Sequence, residues 1–319
     1  MSNLTILVTG SEGATGSYLV EQLSAVPSVD KILRVKRGAF SDSPVIRAGE
    51  VTYSGDLLDE NFCRELFLRN DVDIVIFFAA KWNGLNSDPA VFDENYRMLS
   101  NVLFAKSGSV KKFIFLSSSA IYSEGNVNDQ VDVFSPPSSA YGRAKFLSEQ
   151  LLKLKAQNDC FSFSIYRPFH IVSAREPYSP GRSHVTTDFC HRYVDLNQDF
   201  DWSSLSEIPN IPFTWAPDLC TAIIQDIDCE RRANGAFNIA SPISRSIYDL
   251  ALSIAKAAHS LGLSNKETFM RHKIGVEHIN GLSEKLESAG HKLPLRTLDE
   301  IAFRFLKERY GESCGNDIK

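Results

Sequence analysis

The sequence predicts an α/β chain organised on a doubly wound parallel sheet. Short β-type apolar runs alternate with helix-type segments through the first half of the chain, as parallel βαβ units require. A glycine-rich turn separates the first run from the first amphipathic segment. The total of 319 residues exceeds what one such sheet needs, so a smaller C-terminal lobe is expected as well.

Thr5-Ile6-Leu7-Val8 reads as a buried strand, and Leu19, Val20 and Leu23 mark one face of the helix that follows. Further strands are expected at Lys31–Val35, Val51–Tyr53, Asp73–Ala80, Phe113–Leu116 and Phe161–Tyr166. After Pro168 the periodicity fades: residues 170–215 are rich in Pro, Ser, His and aromatics, which suits loops around a ligand. Helices return at Ile247–Ala258 and Thr297–Arg309. The expected division is a dinucleotide-type domain at 1–168 with 212–240 returning to it, a substrate lobe from 169–211 and 241–310, and a frayed tail at 311–319.

Composition narrows the function classes. Lys plus Arg is 34 against 39 for Asp plus Glu, a net charge of −5, which disfavours nucleic acid or an anionic membrane as partner. The longest strongly apolar run, Ile74 to Ala80, is far short of the roughly 20 residues a membrane helix needs. The N-terminal run lacks the basic flank and cleavage site of a signal peptide. The six cysteines, at 63, 160, 190, 220, 229 and 314, form no CxxC pair and no ligand pattern with histidine. Neither a metal site nor a disulfide framework is expected, and a cytoplasmic location is.

The turn after the first strand reads Thr9-Gly10-Ser11-Glu12-Gly13-Ala14-Thr15-Gly16. Glycines at 10, 13 and 16 permit a tight turn, close backbone approach to a pyrophosphate, and close helix–strand packing. The free N–H groups at the helix start, around Ala14, Thr15 and Gly16, suit phosphates. Between a strand and a helix this points to a Rossmann-type dinucleotide site. An acid about 20 residues on would select NAD, whereas this strand ends Arg34-Val35-Lys36-Arg37. Arg34, Lys36 and Arg37 suit a 2′-phosphate, so NADP is expected, with NAD as the alternative because Glu12 opposes a phosphate. Asp56-Leu57, after the third strand, reads as an adenine contact or as a helix N-cap.

Tyr141 and Lys145 lie one helical turn apart on the same face. A phenol titrates near ~10 in water, and a neighbouring ammonium favours its phenolate, making Tyr141 a usable acid or base. Ser117-Ser118-Ser119 sits at the C-terminal end of a strand, the edge where open α/β sheets bind ligands. One of these hydroxyls can hydrogen-bond the oxygen that Tyr141 protonates.

With these features in order, the chain resembles the extended short-chain dehydrogenase/reductase family of nucleotide-sugar epimerases, dehydratases and reductases. The likeness runs through the glycine loop, Asp56-Leu57, Phe78-Ala79-Ala80, Ser118, Tyr141/Lys145, Arg167-Pro168, Asp218-Leu219 and Gly235 to Ile239. It implies Ser118, Tyr141 and Lys145 as the catalytic set, with Ser119 near the substrate. Within the family, Ala79-Ala80-Lys81-Trp82-Asn83-Gly84-Leu85, Asn95 through Asn101 and Ser183-His184-Val185 look like the GDP-L-fucose synthase group. That likeness adds Ala79, Ala80 and Lys81 to the cofactor contacts, Asn83 to the substrate contacts, and His184 as a proton-transfer group or sugar contact. Arg192 reads either as a cation that neutralises a nucleotide diphosphate or as a solvated surface arginine. Pro168 and His170 are expected near the nicotinamide, His170 standing where many relatives have asparagine.

That group epimerises with a cysteine and a histidine before reducing a ketone, and Ala120 occupies the cysteine position. The implied activity is therefore an NADP-dependent reductase of a nucleotide-linked keto sugar. A nucleotide-sugar C4 epimerase with tightly bound NAD is the alternative, and a non-catalytic dinucleotide-binding protein the third reading. A nucleotide-sugar substrate and a homodimer are expected.

Overall fold

The computed structural model describes residues 3–39, 44–47, 49–82, 88–122, 137–205, 211–228, 234–241, 243–266, 277–278 and 296–311. Along these the order is β1 (Leu4–Thr9), α1 (Gly16–Leu23), β2 (Val29–Arg37), β3 (Val45–Arg47), β4 (Glu50–Gly55), α2 (Glu60–Leu68), β5 (Ile74–Phe77), α3 (Pro89–Ala105), β6 (Lys112–Leu116), α4 (Ala140–Asp159) and β7 (Ser162–Pro168). There follow β8 (Ile171–Val172), α5 (Val185–Cys190), β9 (Ile211–Pro212), β10 (Thr214–Trp215), α6 (Ala216–Asp228), β11 (Gly235–Ile239), β12 (Ile243–Arg245), α7 (Ile247–Ser260), β13 (Glu277–His278) and α8 (Leu298–Tyr310).

Eight strands form one sheet in the order β11-β7-β6-β5-β1-β2-β4-β3. All pairs are parallel except β3 with β4. Alternation sorts the sheet's side chains. In β1, β2, β5 and β6 the odd-numbered Leu7, Leu33, Val75, Phe113 and Phe115 join the core under α2, α3 and α4. Their even-numbered neighbours Ile6, Ile32, Ile76 and Ile114 join the core under α1 and α6. Both faces are covered, which is why these strands read as continuous apolar runs. The chain order reverses between β1 and β5, and such a switch point opens a crevice at the carboxyl ends of the strands.

A third core gathers Val172, Cys190, Tyr193, Trp215 and the apolar faces of α7 and α8. Both helices begin with reciprocal caps, Ser246 with Asp249 and Thr297 with Glu300. Residues 170–215, expected as loops, contribute β8, α5, a π-helical turn at His191–Asp195, β9 and β10. The strand expected over Asp73–Ala80 ends at Phe77. Beyond it Thr9 Oγ1 accepts the N–H groups of Phe78 and Ala79, both at 3.2 Å, so the chain leaves β5 tied to the end of β1. Among the described residues no helix is long and apolar enough to cross a membrane.

Candidate active site

The glycine loop is built by near-contact. Gly10 has φ +68°, and a Cβ there would lie 2.7 Å from the Ala79 nitrogen. A Cβ on Gly16 would meet the Gly10 carbonyl oxygen at 2.1 Å. Gly13 donates its N–H to that oxygen at 3.0 Å and closes the turn. Thr15 caps α1 without a side-chain hydrogen bond, and Ser17 of the first turn donates its N–H to the Gly13 carbonyl at 3.0 Å. Two carbonyls at the loop's exit are held from far along the chain. Ser173 Oγ donates to the Ala14 oxygen at 2.9 Å, and Cys220 Sγ donates to the Thr15 oxygen at 3.5 Å.

Beside the loop lies a cleft lined by Gly10, Gly13, Asp56, Leu57, Ala79 and Ala80, together with Glu12, Val35 and Arg37. A dinucleotide fits here on steric grounds, because the backbone cradle would be filled by a Cβ at residue 10 or 16. Asp56 is not the cap of α2. Its Oδ1 accepts the Leu58 N–H at 2.9 Å within the turn, and Asp59 caps the helix. Asn101 donates to the Leu57 carbonyl at 2.9 Å and holds the cleft wall, a contact 44 residues long in sequence.

The basic strand end is divided. Arg34 is turned away from the cleft, its Nη1 2.9 Å from Glu50 Oε2. The cause is register: Arg34 pairs with Thr52, and Glu50 lies two residues earlier on the same face of β4. Lys36 and Glu12 pair at 3.7 Å on the surface, which leaves Arg37 as the cation lining the cleft. Lys81 is likewise occupied. Its Nζ is 2.5 Å from Glu94 Oε1, while Asn95 binds both its backbone N–H and its carbonyl.

The chemistry-bearing residues meet at the end of β6. Ser118 Oγ accepts the Ala120 N–H at 3.1 Å, which curls residues 119–121 into a 3₁₀ turn and sets the Ser119 and Ala120 positions. The start of α4 is seated on that turn: a Cβ on Gly142 would lie 2.1 Å from the Ala120 carbonyl oxygen. This contact brings Tyr141 up to Ser118. Burial pushes the Tyr141 phenol up to about 12, and the Ser118 hydroxyl pulls the other way. Lys145 is 3% exposed and donates to the Leu116 carbonyl at 2.6 Å, with its Nζ 5.6 Å from the Tyr141 ring centre. Burial draws the Lys145 ammonium down to about 7, opposed by the carboxylate of Glu149 one turn on.

Pro168 ends β7, and His170 follows with φ +29°. Burial, then the nearby His184, lowers His170 to about 4, so its ring is neutral near pH 7. His184 opens α5, with Nδ1 2.5 Å from Glu176 Oε1 and its ring stacked on Trp82. Arg192 is not free for a diphosphate: Asp188 holds its Nε at 2.9 Å on an exposed face, as i,i+4 pairs on helical turns do. Asn83 lies outside the described residues.

Sequence reasoning missed Glu149, Glu176 and Trp82. Glu149 was detectable, because it stands four residues after Lys145 on a helix that otherwise buries few charges.

The sequence model of the NAD dependent epimerase/dehydratase family matches residues 6–240. UDP-glucose 4-epimerase of Pasteurella multocida (strain Pm70) is 31% identical over 193 residues, 54% of this chain and 55% of that protein. This chain therefore spans about half the length of that relative. ADP-L-glycero-D-manno-heptose-6-epimerase of Pseudomonas paraeruginosa (strain DSM 24068 / PA7) is 25% identical over 268 residues, 81% of this chain and 79% of that protein. Among solved structures, UDP-glucose 4-epimerase with UDP-glucose from Thermotoga maritima matches with a TM-score of 0.74 at 19% identity, covering 97% and 99% of the two chains. The Bordetella bronchiseptica enzyme WbmG in complex with NAD and UDP gives 0.74 at 20% identity, covering 100% and 98%. The structural matches carry the fold, and the sequence match carries the lineage: the chain belongs to the NAD dependent epimerase/dehydratase family.

Proposed function

We propose that this protein is a nucleotide-sugar epimerase that inverts a ring carbinol by oxidation and re-reduction, with NAD held in the cleft beside the glycine loop. The convergence of Ser118, Tyr141 and Lys145 at the end of β6, beside that cleft, carries the reading. NAD supplies a hydride acceptor that also returns the hydride. Tyr141 Oη, in its phenolate form, would take the proton of the sugar hydroxyl while the carbinol hydride would pass to the bound dinucleotide, so that C–OH would become C=O. Ser118 hydrogen-bonds the same oxygen, and the Lys145 ammonium stabilises the phenolate. Tyr141 would then return the proton to the sugar oxygen, and a bound dinucleotide would supply the hydride for the opposite face of the reoriented keto sugar.

Ala120 supports this over inversion through an enolate, since a methyl group moves no proton and the oxidation route needs none beyond Tyr141. The names of the relatives, a 4-epimerase and a 6-epimerase, favour epimerisation over the reductase reading. The lobe built on α5, α7 and α8 is assigned to the nucleotide sugar. An NADP-dependent reductase remains the second reading on one observation, Arg37 at the cleft.

Purified protein is analysed for released nucleotide and then incubated with UDP-glucose or UDP-galactose under proton NMR. Co-purified NAD(H) and interconversion without added cofactor are expected. Stoichiometric NADPH consumption without interconversion would establish the reductase instead.

A further inference from the structure

Tyr141, Lys145 and Glu149 stand four residues apart, so they line one face of α4. That face meets the end of β6 residue by residue. Tyr141 meets Ser118, Lys145 Nζ donates to the Leu116 carbonyl at 2.6 Å, and Ser117 Oγ donates to Glu149 Oε1 at 2.6 Å. Lys145 and Glu149 are both buried, so the carboxylate is out of bulk water and depends on side-chain partners.

Arg167 of β7, buried as well, supplies them. It donates to both Glu149 oxygens, and its Nη1 donates to the Tyr122 hydroxyl at 3.1 Å. Ser117 and Tyr122 flank the turn that carries Ser118. Ser117 donates its N–H to the Tyr166 carbonyl at 2.7 Å, and Tyr122 donates its N–H back to the Ser119 carbonyl at 3.0 Å. The Tyr122 hydroxyl is fixed in turn on Asn238 of β11. One ion pair thus holds the Ser118 turn at its entry, through Glu149 and Ser117, and at its exit, through Arg167 and Tyr122.

Folding by itself does not call for ions at this place. Apolar side chains of similar volume can replace a buried ion pair at little cost in stability, or with a gain. They offer neither an acceptor for the Ser117 hydroxyl nor a negative charge one helical turn from Lys145. Resting on the epimerase reading, we propose that Glu149 is a positioning residue of the reaction: locked by Arg167, it fixes the turn that carries Ser118 and keeps a negative charge beside the Tyr141/Lys145 pair. The carboxylate opposes the burial that draws the Lys145 ammonium down, and so favours the charged lysine that a Tyr141 phenolate needs. The other ionisable side chains in this cluster are Arg167 from β7, Tyr122 beyond β6, and Lys153 on α4, its Nζ 3.8 Å from Glu149 Oε2.

The test exchanges the ion pair for apolar side chains, Glu149→Leu with Arg167→Met, and follows interconversion of UDP-glucose and UDP-galactose against pH. Urea unfolding and NAD titration establish that this variant is folded and loaded. Its kcat falls by about tenfold to a hundredfold, the scale of a displaced catalytic group, while KM holds. The kcat profile moves to lower pH, because loss of the carboxylate eases proton loss from the coupled Tyr141/Lys145 pair. Ser117→Ala, which keeps the ion pair whole, lowers kcat with the profile in place, and it decides alone if the apolar variant does not fold. An unmoved profile in the apolar variant, or wild-type kcat in Ser117→Ala, overturns the proposal. Should the wild type interconvert neither UDP sugar, the epimerase reading falls and a measurement without substrate decides. The rise in stability with pH that Lys145→Met abolishes begins at lower pH in the apolar background than in the wild type, and an unmoved onset overturns the proposal.

Discussion

Glu149 and Arg167 form a two-point ion pair in the core, Oε1 to Nε at 2.9 Å and Oε2 to Nη2 at 2.6 Å, with side chains 0% and 4% exposed. Around them Ser117 donates to Glu149, Arg167 donates to the Tyr122 hydroxyl, and Tyr122 donates to Asn238. One network therefore ties α4, β7, β11 and the residues just after β6 together a single turn beyond Lys145. Removing one partner of such a pair strands the other charge, so Glu149→Gln should lose about 3–5 kcal/mol in denaturant unfolding. Adding Arg167→Met should recover part of that loss, as the unpaired cation is then gone. A single variant as stable as wild type would show that the pair is dispensable.

Tyr141→Phe keeps the ring and removes the transferable proton. Turnover should fall by about 10²–10⁴, with NAD affinity unchanged within about twofold by fluorescence titration. Retained turnover would assign the proton to another group.

Lys145 gives a pH signature in stability. Its folded value, about 7, lies below the ordinary lysine value of 10.5, so above pH 7 the unfolded chain binds a proton that the folded chain does not. Stability therefore gains from this group as pH rises from about 7 toward 10. Melting temperatures of wild type and Lys145→Met across that range should converge at low pH differently from high pH, the variant lacking the wild-type gain. Parallel curves would place the lysine in water.

Two glycines should separate binding from chemistry. Gly16→Ala forces a methyl against the Gly10 carbonyl and should weaken NAD binding by at least about tenfold, or about 1.4 kcal/mol. Gly142→Ala drives a methyl against the Ala120 carbonyl and lifts Tyr141 from Ser118, so kcat should fall while NAD affinity holds. Loss of NAD binding in Gly142→Ala would contradict that separation.

Cofactor choice rests on Glu12 and Arg37, which line the cleft together. The wild type should prefer NAD; Glu12→Gln should raise NADP affinity by removing a repelling carboxylate, and Arg37→Ala should lower NADP affinity more than NAD affinity. Titrations at two salt concentrations check the charge origin, since screening shrinks both effects.

What the sequence disclosed was local. The strands on either side of Gly10, the glycine loop and the Tyr141/Lys145 spacing all follow from period and from residue type within a few positions. The 3-residue β3 escaped because Val45 and Ile46 are exposed and show no alternation, and β8 and β10 are two residues long, too short for any period. Arg34 was assigned to the cofactor because composition marks it as a cation at a strand end. Only the β2–β4 register, set across 16 residues, shows that Glu50 takes it first. Glu176 and Trp82 were invisible for the same reason: their meeting at His184 depends on which strands lie side by side.

The holds on the Ala14 and Thr15 carbonyls have a consequence for how the protein is made. The phosphate-binding turn is encoded within the first sixteen residues, yet its exit is fastened by Ser173 and Cys220. A chain emerging from the ribosome can pair its early strands, but these two carbonyls gain their partners only once Ser173 and Cys220 have been synthesised. Until α6 is in place the exit of the glycine turn lacks both of these side-chain partners, so the early sheet carries the turn without the contacts that fasten it.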